Sequence, residues 1–247
     1  MSGSAAAVMR IFVAGASGVI GRPLLRLLRD AGHAVTGSTR SQAKAGAIEA
    51  LGARAVVVDA YDAAALEAAV AASRPAVVIH QLTDLPDTMD PAQRTAVLEA
   101  NARLRIEGTR NLMAAALAAG ARRVVAQSIA FIYAPGPGPR REGDPLDPSE
   151  AQRTTIAGVV ALEQQVLNTP GIDGLVLRYG RLYGPGTWFA AASGPGALST
   201  DAAAQAALLA ATRGAPGRYN IAEDDGAYSI EKARRELGFD PAFRIVQ

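Results

Sequence analysis

The sequence predicts an α/β protein with a doubly wound parallel sheet and a small C-terminal cap. Three observations support this fold class. Short apolar runs alternate with helical segments from residue 10 to residue 178, and strands separated by helices form parallel sheets covered on both faces. Apolar residues make up 49% of the 247 positions, enough for a sizeable core. The alternation stops after Tyr183, where glycine and proline become frequent.

The N-terminal unit is predicted to be a strand, a helix and a second strand. Residues 10–14 form a short buried strand. Residues 19–31 form a helix with four leucines on its apolar side, and Pro23 lies in its first turn, where a missing N–H costs little. Residues 34–38 form the second strand.

Capping residues delimit the next two helices. A helix over residues 41–51 is closed by Gly52, and Asp62 is the expected N-cap of a helix over residues 63–72. The third and fourth strands are expected at residues 55–58 and 76–80.

Two long helices are predicted on either side of the fifth strand. The first covers residues 91–119 and is ended by Gly120, and the second covers residues 150–168. Residues 134–148 are rich in proline, glycine and charge, which predicts a surface loop. The fifth and sixth strands are expected at residues 123–127 and 175–178.

The C-terminal part has a weaker pattern. Two Gly-Pro-Gly segments bracket a loop between residues 184 and 196. The remaining elements are a helix over 200–212, a strand over 219–222 and a helix over 229–237. We therefore predict a main domain over residues 1–183 and a small C-terminal substrate or cap region over residues 184–247.

The composition narrows the partners and the location. The formal net charge is +2 and the basic residues are not clustered, so no nucleic-acid partner is expected. The absence of cysteine excludes disulfides and thiolate chemistry, and two histidines alone make no recognisable metal site. No apolar run reaches the roughly 18 residues of a membrane span, and the first seven residues lack the apolar core of a signal peptide. We expect a cytoplasmic protein with no membrane partner.

A glycine-rich segment joins the first strand to the first helix. Gly15 permits a tight turn, Gly18 lets the backbone approach a pyrophosphate, and Gly21 lets the helix pack closely on the strand. The helix N-terminus then offers free N–H groups and about half a positive charge to the phosphates. This context predicts a Rossmann-type site for a nicotinamide dinucleotide, the alternative being a glycine turn without a ligand. The predicted contacts are Gly15, Ser17, Gly18, Val19, Ile20 and Gly21.

The Gly-x-x-Gly-x-x-Gly spacing resembles the short-chain dehydrogenase/reductase superfamily. The closest resemblance is to its extended branch, which holds the NAD-dependent epimerases and dehydratases. Further matching segments are residues 77–80, Asn101 with residues 107–112, residues 177–185 and residues 232–239. The resemblance implies an NAD(P)-dependent oxidoreductase or epimerase with a small-molecule substrate. It also implies a homodimer through the two long helices.

The end of the second strand favours NADP, with NAD as the alternative. NAD-binding proteins usually place an acid there, whereas this chain has Arg40, whose guanidinium suits a 2′-phosphate. The competing interpretation is a solvated surface arginine. Possible helpers are Arg22, Ser38, Ser41 and Lys44. The resemblance further implies that Asp59 and Ala60 flank the adenine and that Gln81, Leu82 and Thr83 line the path to the nicotinamide.

The resemblance fails at the family's catalytic pair, Tyr-x-x-x-Lys. Aligned on Glu163, Thr155 falls at the tyrosine and Val159 at the lysine. Ser128 matches the first serine of the strand-five motif, while Ile129 falls where the catalytic hydroxyl belongs. The chain has only two lysines, Lys44 and Lys232, so a small shift of the alignment does not restore the pair. The literal Tyr228–Lys232 spacing is interpreted as a coincidence.

The remaining catalytic candidates are Ser128, Tyr133 and Tyr183. Both tyrosines follow strands at the edge where open α/β sheets bind ligands, although each is also a plausible packing residue. His80 is expected to be a satisfied core histidine. An acidic loop follows it, which is either a contact for a polar substrate or a solvated segment; its acids are Asp84, Asp87 and Asp90.

Three functions remain open from the sequence. The first is an atypical oxidoreductase of the epimerase/dehydratase type that acts on a small carbonyl or alcohol with non-standard catalytic residues. The second is a non-catalytic NADP(H)-binding sensor or regulatory protein. The third is a lyase or isomerase that kept the fold and changed the chemistry.

Overall fold

One sheet of seven parallel strands lies at the centre of the structure, a computed structural model that describes residues 8–246. Residues 1–7, in which no signal peptide is expected, lie outside the described residues. The strands are β1 (Arg10–Ala14), β2 (Ala34–Thr39), β3 (Arg54–Val57), β4 (Val77–His80), β5 (Arg123–Ile129), β6 (Asp173–Tyr179), β7 (Arg181–Tyr183), β8 (Ala197–Ser199) and β9 (Gly217–Ile221). The central sheet has the order β3-β2-β1-β4-β5-β6-β9, and β7 pairs with β8 separately. The predicted α/β class with a parallel sheet is confirmed.

Helices cover both faces of this sheet. They are α1 (Gly21–Asp30), α2 (Ala45–Ala50), α3 (Ala63–Ser73), α4 (Arg94–Arg103), α5 (Thr109–Ala118), α6 (Arg153–Asn168), α7 (Thr200–Ala210) and α8 (Glu231–Leu237). Asp62 caps α3 as predicted, because its side chain accepts a hydrogen bond from the Ala65 N–H at 3.0 Å. The helix predicted over residues 91–119 is interrupted by a π-helical turn, Leu104–Gly108.

Two apolar layers hold the sheet. On one face, leucines of α1 pack against the alanine-rich α7, whose small side chains are almost all buried. On the other face, α3, α5 and α6 cover the strands through residues such as Leu66, Leu112 and Leu162. Burial of apolar surface at about 25 cal/mol per Å² makes these two layers the main stabilising contribution.

The strand order reverses between β1 and β4. From β1 the chain moves outward to β2 and β3, then returns to β4 and continues outward through β5 and β6. Such a switch point leaves a crevice at the carboxyl ends of the strands, where open α/β sheets bind ligands. The fold therefore places the glycine segment after β1 and the residues after β4 and β5 along one edge.

The segment after residue 184 contributes to both sheets. β9 adds to the central sheet beside β6, and β8 pairs with β7. The sequence did not indicate β7 or β8, because three-residue strands are too short to show periodicity. The boundary between residues 183 and 184 stays a prediction, with one strand of the central sheet supplied from beyond it.

Within residues 8–246, no helix combines the length and the apolar character that crossing a membrane requires. The same part of the chain has no group of three or more histidine and carboxylate side chains arranged to hold a metal ion.

Candidate functional site

The glycine segment forms a tight turn against the end of β4. Gly15 has φ +83°, and a Cβ on it would lie 2.5 Å from the carbonyl oxygen of Gln81. A Cβ on Gly21 would lie 2.5 Å from the carbonyl oxygens of Gly15 and Ala16. Any side chain larger than hydrogen would therefore displace backbone at these two positions.

The N-terminus of α1 is open to an anion. Its N-cap, Ile20, makes no side-chain capping bond, and the first turn contains no acid. Among the described residues, no backbone carbonyl accepts from the N–H groups of Val19 and Ile20. Uncapped N–H groups at a helix start are what a pyrophosphate requires, so these residues fit a dinucleotide.

Arg40 lies beyond β2 and bridges to the loop after β4. Its Nη2 donates to Asp84 Oδ1 at 2.8 Å, and the Arg40 side chain is 63% exposed. The Asp84 backbone N–H donates to Asn101 Oδ1 at 3.0 Å, which holds this loop against α4. Nearby, Ser17 Oγ and Thr39 Oγ1 are 3.1 Å apart. The predicted helpers Arg22 and Lys44 are both exposed.

Asp59 and Ala60, the residues predicted to flank the adenine, follow β3, which lies beside β2. Asp59 Oδ1 accepts from the Tyr61 N–H at 2.9 Å, and Asn111 Nδ2 donates to the Ala60 carbonyl oxygen at 2.9 Å. The guanidinium carbon of Arg103 lies 4.6 Å from the centre of the Tyr61 ring. The structure thus surrounds this end of the crevice with an aromatic ring and polar groups.

The residues predicted to lead to the nicotinamide are linked to β5 and β6. Gln127 Nε2 donates to the Leu82 carbonyl oxygen at 2.9 Å, and Gln81 Nε2 donates to the Tyr179 hydroxyl at 3.3 Å. Gln81 Oε1 is buried without a hydrogen-bond partner in the described residues, whereas Thr83 is exposed at the rim. An unpaired buried acceptor costs free energy unless a ligand donates to it.

His80 is a buried core histidine. The Leu82 N–H donates to Nδ1 at 3.2 Å, so the proton lies on Nε2, which is 2.9 Å from Thr109 Oγ1. Burial, helped by the nearby charge of Arg105, lowers the pKa of His80 to about 4. Protonation would remove the acceptor that holds Leu82.

We expect this histidine to make the protein less stable in mild acid. Its pKa is lower in the folded state than the roughly 6.5 of the unfolded chain. The full contribution of the neutral histidine to folding stability is therefore present above about pH 6.5. The contribution is lost as the pH falls toward 4, and the free energy of unfolding should drop by about 2 kcal/mol between pH 7.5 and pH 5. Urea unfolding at both pH values measures it.

The matched pair of variants for this test is His80→Gln and His33→Gln. His33 is the other histidine, half-buried at the surface, and its pKa is also lowered by burial. Most of the pH dependence should disappear in His80→Gln and persist in His33→Gln. Persistence of the full drop in both variants would contradict the role assigned to His80.

Thr155 and Val159, which the sequence alignment predicts at the positions of the tyrosine and the lysine, both lie inside α6. Thr155 is buried and Val159 is fully buried. Lys232 is engaged elsewhere: its Nζ donates to the Arg218 carbonyl oxygen at 2.9 Å and lies 4.1 Å from the centre of the Tyr219 ring.

A buried ion-pair network joins α6 to β5, β6 and β9. Glu163 accepts from Arg178 at 2.8 and 2.7 Å, from Arg218 at 2.6 Å and from Ser128 at 2.9 Å. Burial alone would raise the pKa of Glu163, but the hydrogen bonds and charge of Arg178 outweigh it and hold this pKa below its usual value. Ser128, a predicted catalytic residue, therefore contacts a structural carboxylate.

The hydroxyls of the two tyrosine candidates are both occupied. Tyr133 donates to Asn220 Oδ1 at 2.6 Å and accepts from Arg178 at 2.8 Å. Tyr183 donates to Glu223 Oε1 at 2.6 Å and accepts from Arg244 at 2.6 Å. Burial raises the pKa of each tyrosine, so each is a weaker acid than a free phenol. Their catalytic roles stay predictions.

The three carboxylates of the acidic loop lie in different environments. Asp84 pairs with Arg40, and Asp90 accepts from the Ala92 N–H at 2.9 Å, capping the turn before α4. Asp87 is exposed. The loop is closed from the other side by Trp188, whose Nε1 donates to the Pro86 carbonyl oxygen at 3.1 Å.

A pocket of about 460 Å³ opens beside the ends of β5 and β6. It is lined by residues that follow β5, by Arg181 at the start of β7, by Arg140 of the long loop and by Tyr228. Arg140 was not predicted as a site residue from the sequence, where its position in a loop of glycines and prolines was the only indication.

A second arginine was also missed. Arg105 lies in the π-helical turn and is 8% exposed, and burial lowers its pKa to about 10. No carboxylate among the described residues lies within 4.0 Å of its guanidinium. π-helical turns are frequent at functional sites. In the sequence, a charged residue among the apolar positions of this long helix was the available signal.

The chain matches one family profile over most of its length. The profile of the NAD dependent epimerase/dehydratase family matches residues 11–210. Among curated proteins, a 3-diazoavenalumate denitrifying reductase of Streptomyces sp is 43% identical over 260 residues, covering 94% of this chain and 83% of that protein.

Solved structures share the fold at low identity. A UDP-glucose 4-epimerase of Thermotoga maritima with UDP-glucose superposes with a TM-score of 0.81 at 17% identity, covering 96% of this chain and 94% of its own. A short-chain dehydrogenase/reductase superfamily protein of Agrobacterium tumefaciens with bound NAD has a TM-score of 0.73 at 21% identity, covering 95% and 93%.

Proposed function

Because this chain belongs to the NAD dependent epimerase/dehydratase family, we propose that it is a reductase that uses a nicotinamide dinucleotide. One observation carries the proposal. The uncapped N–H groups at the start of α1 lie between Gly15 and Gly21, two glycines at which the surrounding backbone leaves no room for a side chain. The proposed contacts to the pyrophosphate are the residues from Gly15 to Gly21, with Asp59 and Ala60 at the adenine. Gln81, Leu82 and Thr83 are the proposed contacts toward the nicotinamide.

The proposed substrate is an aromatic carboxylate that bears a diazo group. The 43% identical relative is a denitrifying reductase of 3-diazoavenalumate, and family membership with such a relative favours an enzyme over a sensor. The residues from Gly15 to Gly21 and from Gln81 to Thr83 would hold a reduced nicotinamide dinucleotide, which would supply a hydride. Replacing the diazonium group of the arene by hydride releases N₂ together with the C–N electron pair. The charges balance without a proton.

The chain's own residues agree with a reaction that needs no acid. Carbonyl reduction builds negative charge on oxygen and requires a proton donor. The family positions of that donor system are here Thr155 and Val159, both buried. Tyr133 and Tyr183 have raised pKa values and occupied hydroxyls. We therefore assign the hydroxyls of Ser128 and Tyr133 positioning roles in the network at the ends of β5 and β6, and Tyr183 the role of donor only for a carbonyl substrate.

The test is turnover with a matched pair of substrates. A 3-diazonio-cinnamate and the corresponding aryl aldehyde are each incubated with the protein and with reduced dinucleotide deuterated at C4. We expect one N₂ and one oxidised dinucleotide per arene, with deuterium on the carbon that bore nitrogen. Reduction of the aldehyde alone would overturn the diazo proposal in favour of carbonyl chemistry. Dinucleotide binding without any turnover would favour the sensor.

We further propose NADP as the preferred dinucleotide. Arg40 is largely exposed, and Asp84 is its only side-chain partner within residues 8–246, so it can turn toward a 2′-phosphate. Arg40→Asp should weaken NADPH binding by about 10- to 100-fold, because a charge-assisted hydrogen bond of about 1.5–3 kcal/mol is lost and a repulsion added. NADH binding should stay within a few-fold. Nicotinamide fluorescence titrations measure both affinities.

The control for this variant is Asp84→Asn. It keeps Arg40, frees it from its carboxylate and removes a negative charge near the 2′-phosphate, so NADPH should bind a few-fold more tightly. Unchanged NADPH affinity in Arg40→Asp would refute the role of Arg40.

A homodimer through α4, α5 and α6 is also proposed. The outward face of α6 carries Ile156 and Val160 beside a groove of about 480 Å³. α4 packs next to it, and Ile106 of the π-helical turn is exposed. Partly exposed apolar side chains on neighbouring helices support self-association. The cytoplasmic location stays a prediction.

A further inference from the structure

We propose that the pocket beside β5 and β6 binds the carboxylate and aryl ring of the substrate, with Arg140 as the anion-binding residue. This assignment rests on the proposed function, because it names the part of the site that recognises an aromatic acid. It concerns substrate binding and does not require a chemical step.

Arg140 is a cation without a full complement of partners. Its Nη2 is buried and makes no hydrogen bond in the described part of the chain. Its Nη1 lies 3.9 Å from Asp144 Oδ2, beyond hydrogen-bond distance. A buried guanidinium nitrogen without an acceptor is costly, so the Arg140 guanidinium favours pairing with a carboxylate in the pocket that its side chain lines.

The backbone holds Arg140 in place before any ligand arrives. Its N–H donates to the Ala227 carbonyl oxygen at 3.0 Å, and its own carbonyl accepts from the Ser229 N–H at 2.8 Å and from Asn220 Nδ2 at 3.0 Å. Gly136 leaves the space that the guanidinium fills, since a Cβ there would collide with it. A side chain fixed in this way loses little entropy on binding.

The rest of the pocket suits a flat apolar group next to an anion. The Tyr133 and Tyr228 rings lie 6.1 Å apart at an angle of 43°, and Phe131 is 37% exposed. Arg181 adds a second positive charge to the lining. Aromatic walls bind an aryl ring through buried area, while two arginines select a negative charge. The pocket is open to solvent and has a volume of about 460 Å³.

The pocket adjoins the predicted nicotinamide path. Ala130 lines it and directly follows β5, the strand whose Gln127 bonds to Leu82. Because parallel strands end at one edge, the pocket and the groove after β4 lie at the same edge of the sheet.

The test uses 4-hydroxycinnamate, which has no diazo group and undergoes no reduction with loss of N₂. Calorimetric titration into the protein with NADP⁺ should show binding of the acid and at least tenfold weaker binding of its methyl ester. Arg140→Met should weaken binding of the acid at least tenfold and leave binding of the ester and of NADP⁺ unchanged. The matched control is Arg141→Met, because Arg141 is exposed and absent from the pocket lining.

Three outcomes would overturn the assignment. They are equal affinity for acid and ester, an unchanged affinity in Arg140→Met, and competition by UDP-glucose that depends on Arg140, which would make the pocket a diphosphate site.

Loss of NADP⁺ affinity in Arg140→Met would indicate misfolding, and Arg140→Lys then tests the same charge. Binding of the acid without N₂ release from the diazonium would retain the subsite and reject the proposed reaction. N₂ release with an unchanged KM in Arg140→Met would retain the proposed reaction and reject the subsite.

Discussion

Replacing Gly15 with alanine is expected to weaken dinucleotide binding by about a hundredfold. Two costs combine at this position. The left-handed backbone, φ +83°, costs an L-residue about 1–2 kcal/mol. The added Cβ would also lie 2.5 Å from the Gln81 carbonyl oxygen and 3.1 Å from the Leu82 nitrogen, so the end of β4 must move. A hundredfold loss corresponds to about 2.7 kcal/mol.

Gly32→Ala separates the two costs. Gly32 has φ +81°, nearly the same backbone conformation, but a Cβ there meets nothing within 4 Å. This variant should lose stability through strain while its dinucleotide affinity stays at the wild-type value. Nicotinamide fluorescence and thermal unfolding measure the two effects. Equal losses of affinity in both variants would show that the contact with Gln81 does not shape the site.

The glycine loop was predictable because its information is local. Three glycines at a fixed spacing between a strand and a helix specify a turn, an uncapped helix start and close packing, and the structure places them so. Asp62 was predictable as an N-cap for the same reason, since the capping bond spans three residues.

The polar contacts of the site were not predictable, because their partners are far apart in the chain. Arg40 and Asp84 are 44 residues apart, and Arg178 joins Glu163 to Tyr133 across 15 and 45 residues. Only the register of β5, β6 and β9 brings Ser128, Arg178 and Asn220 to one edge. The π-helical turn was hidden too, because a helix of the same residues without it has almost the same apolar pattern.

The buried network predicts the largest loss of stability from a single substitution, Glu163→Gln. The Arg178 side chain is 3% exposed, and Glu163 is its only carboxylate partner in the described residues. Removing one member of a buried pair leaves an uncompensated charge and typically costs about 3–5 kcal/mol. The new amide group would also place N–H donors against those of Arg178 or Arg218. Urea unfolding at neutral pH measures the loss.

The pH dependence of this loss has a definite sign. The pKa of Glu163 is lowered in the folded protein, so the carboxylate stabilises the fold above the unfolded pKa of about 4.3. That contribution declines as the pH falls through the folded pKa. The difference in free energy of unfolding between wild type and Glu163→Gln should therefore be constant from pH 6 to 8 and shrink below about pH 4.

Two further variants distinguish pairing from packing. Arg218→Gln removes a partner that is 38% exposed and leaves the Arg178–Glu163 pair intact, so it should cost about 1 kcal/mol or less. The double variant Glu163→Leu with Arg178→Met replaces the pair by apolar side chains and should recover most of the stability lost in Glu163→Gln. Recovery would show that the uncompensated charge, not lost volume, destabilises the single variant. If the double variant is as unstable as Glu163→Gln, the network stabilises the ends of β5 and β6 through its hydrogen bonds, including those to Ser128 and Tyr133.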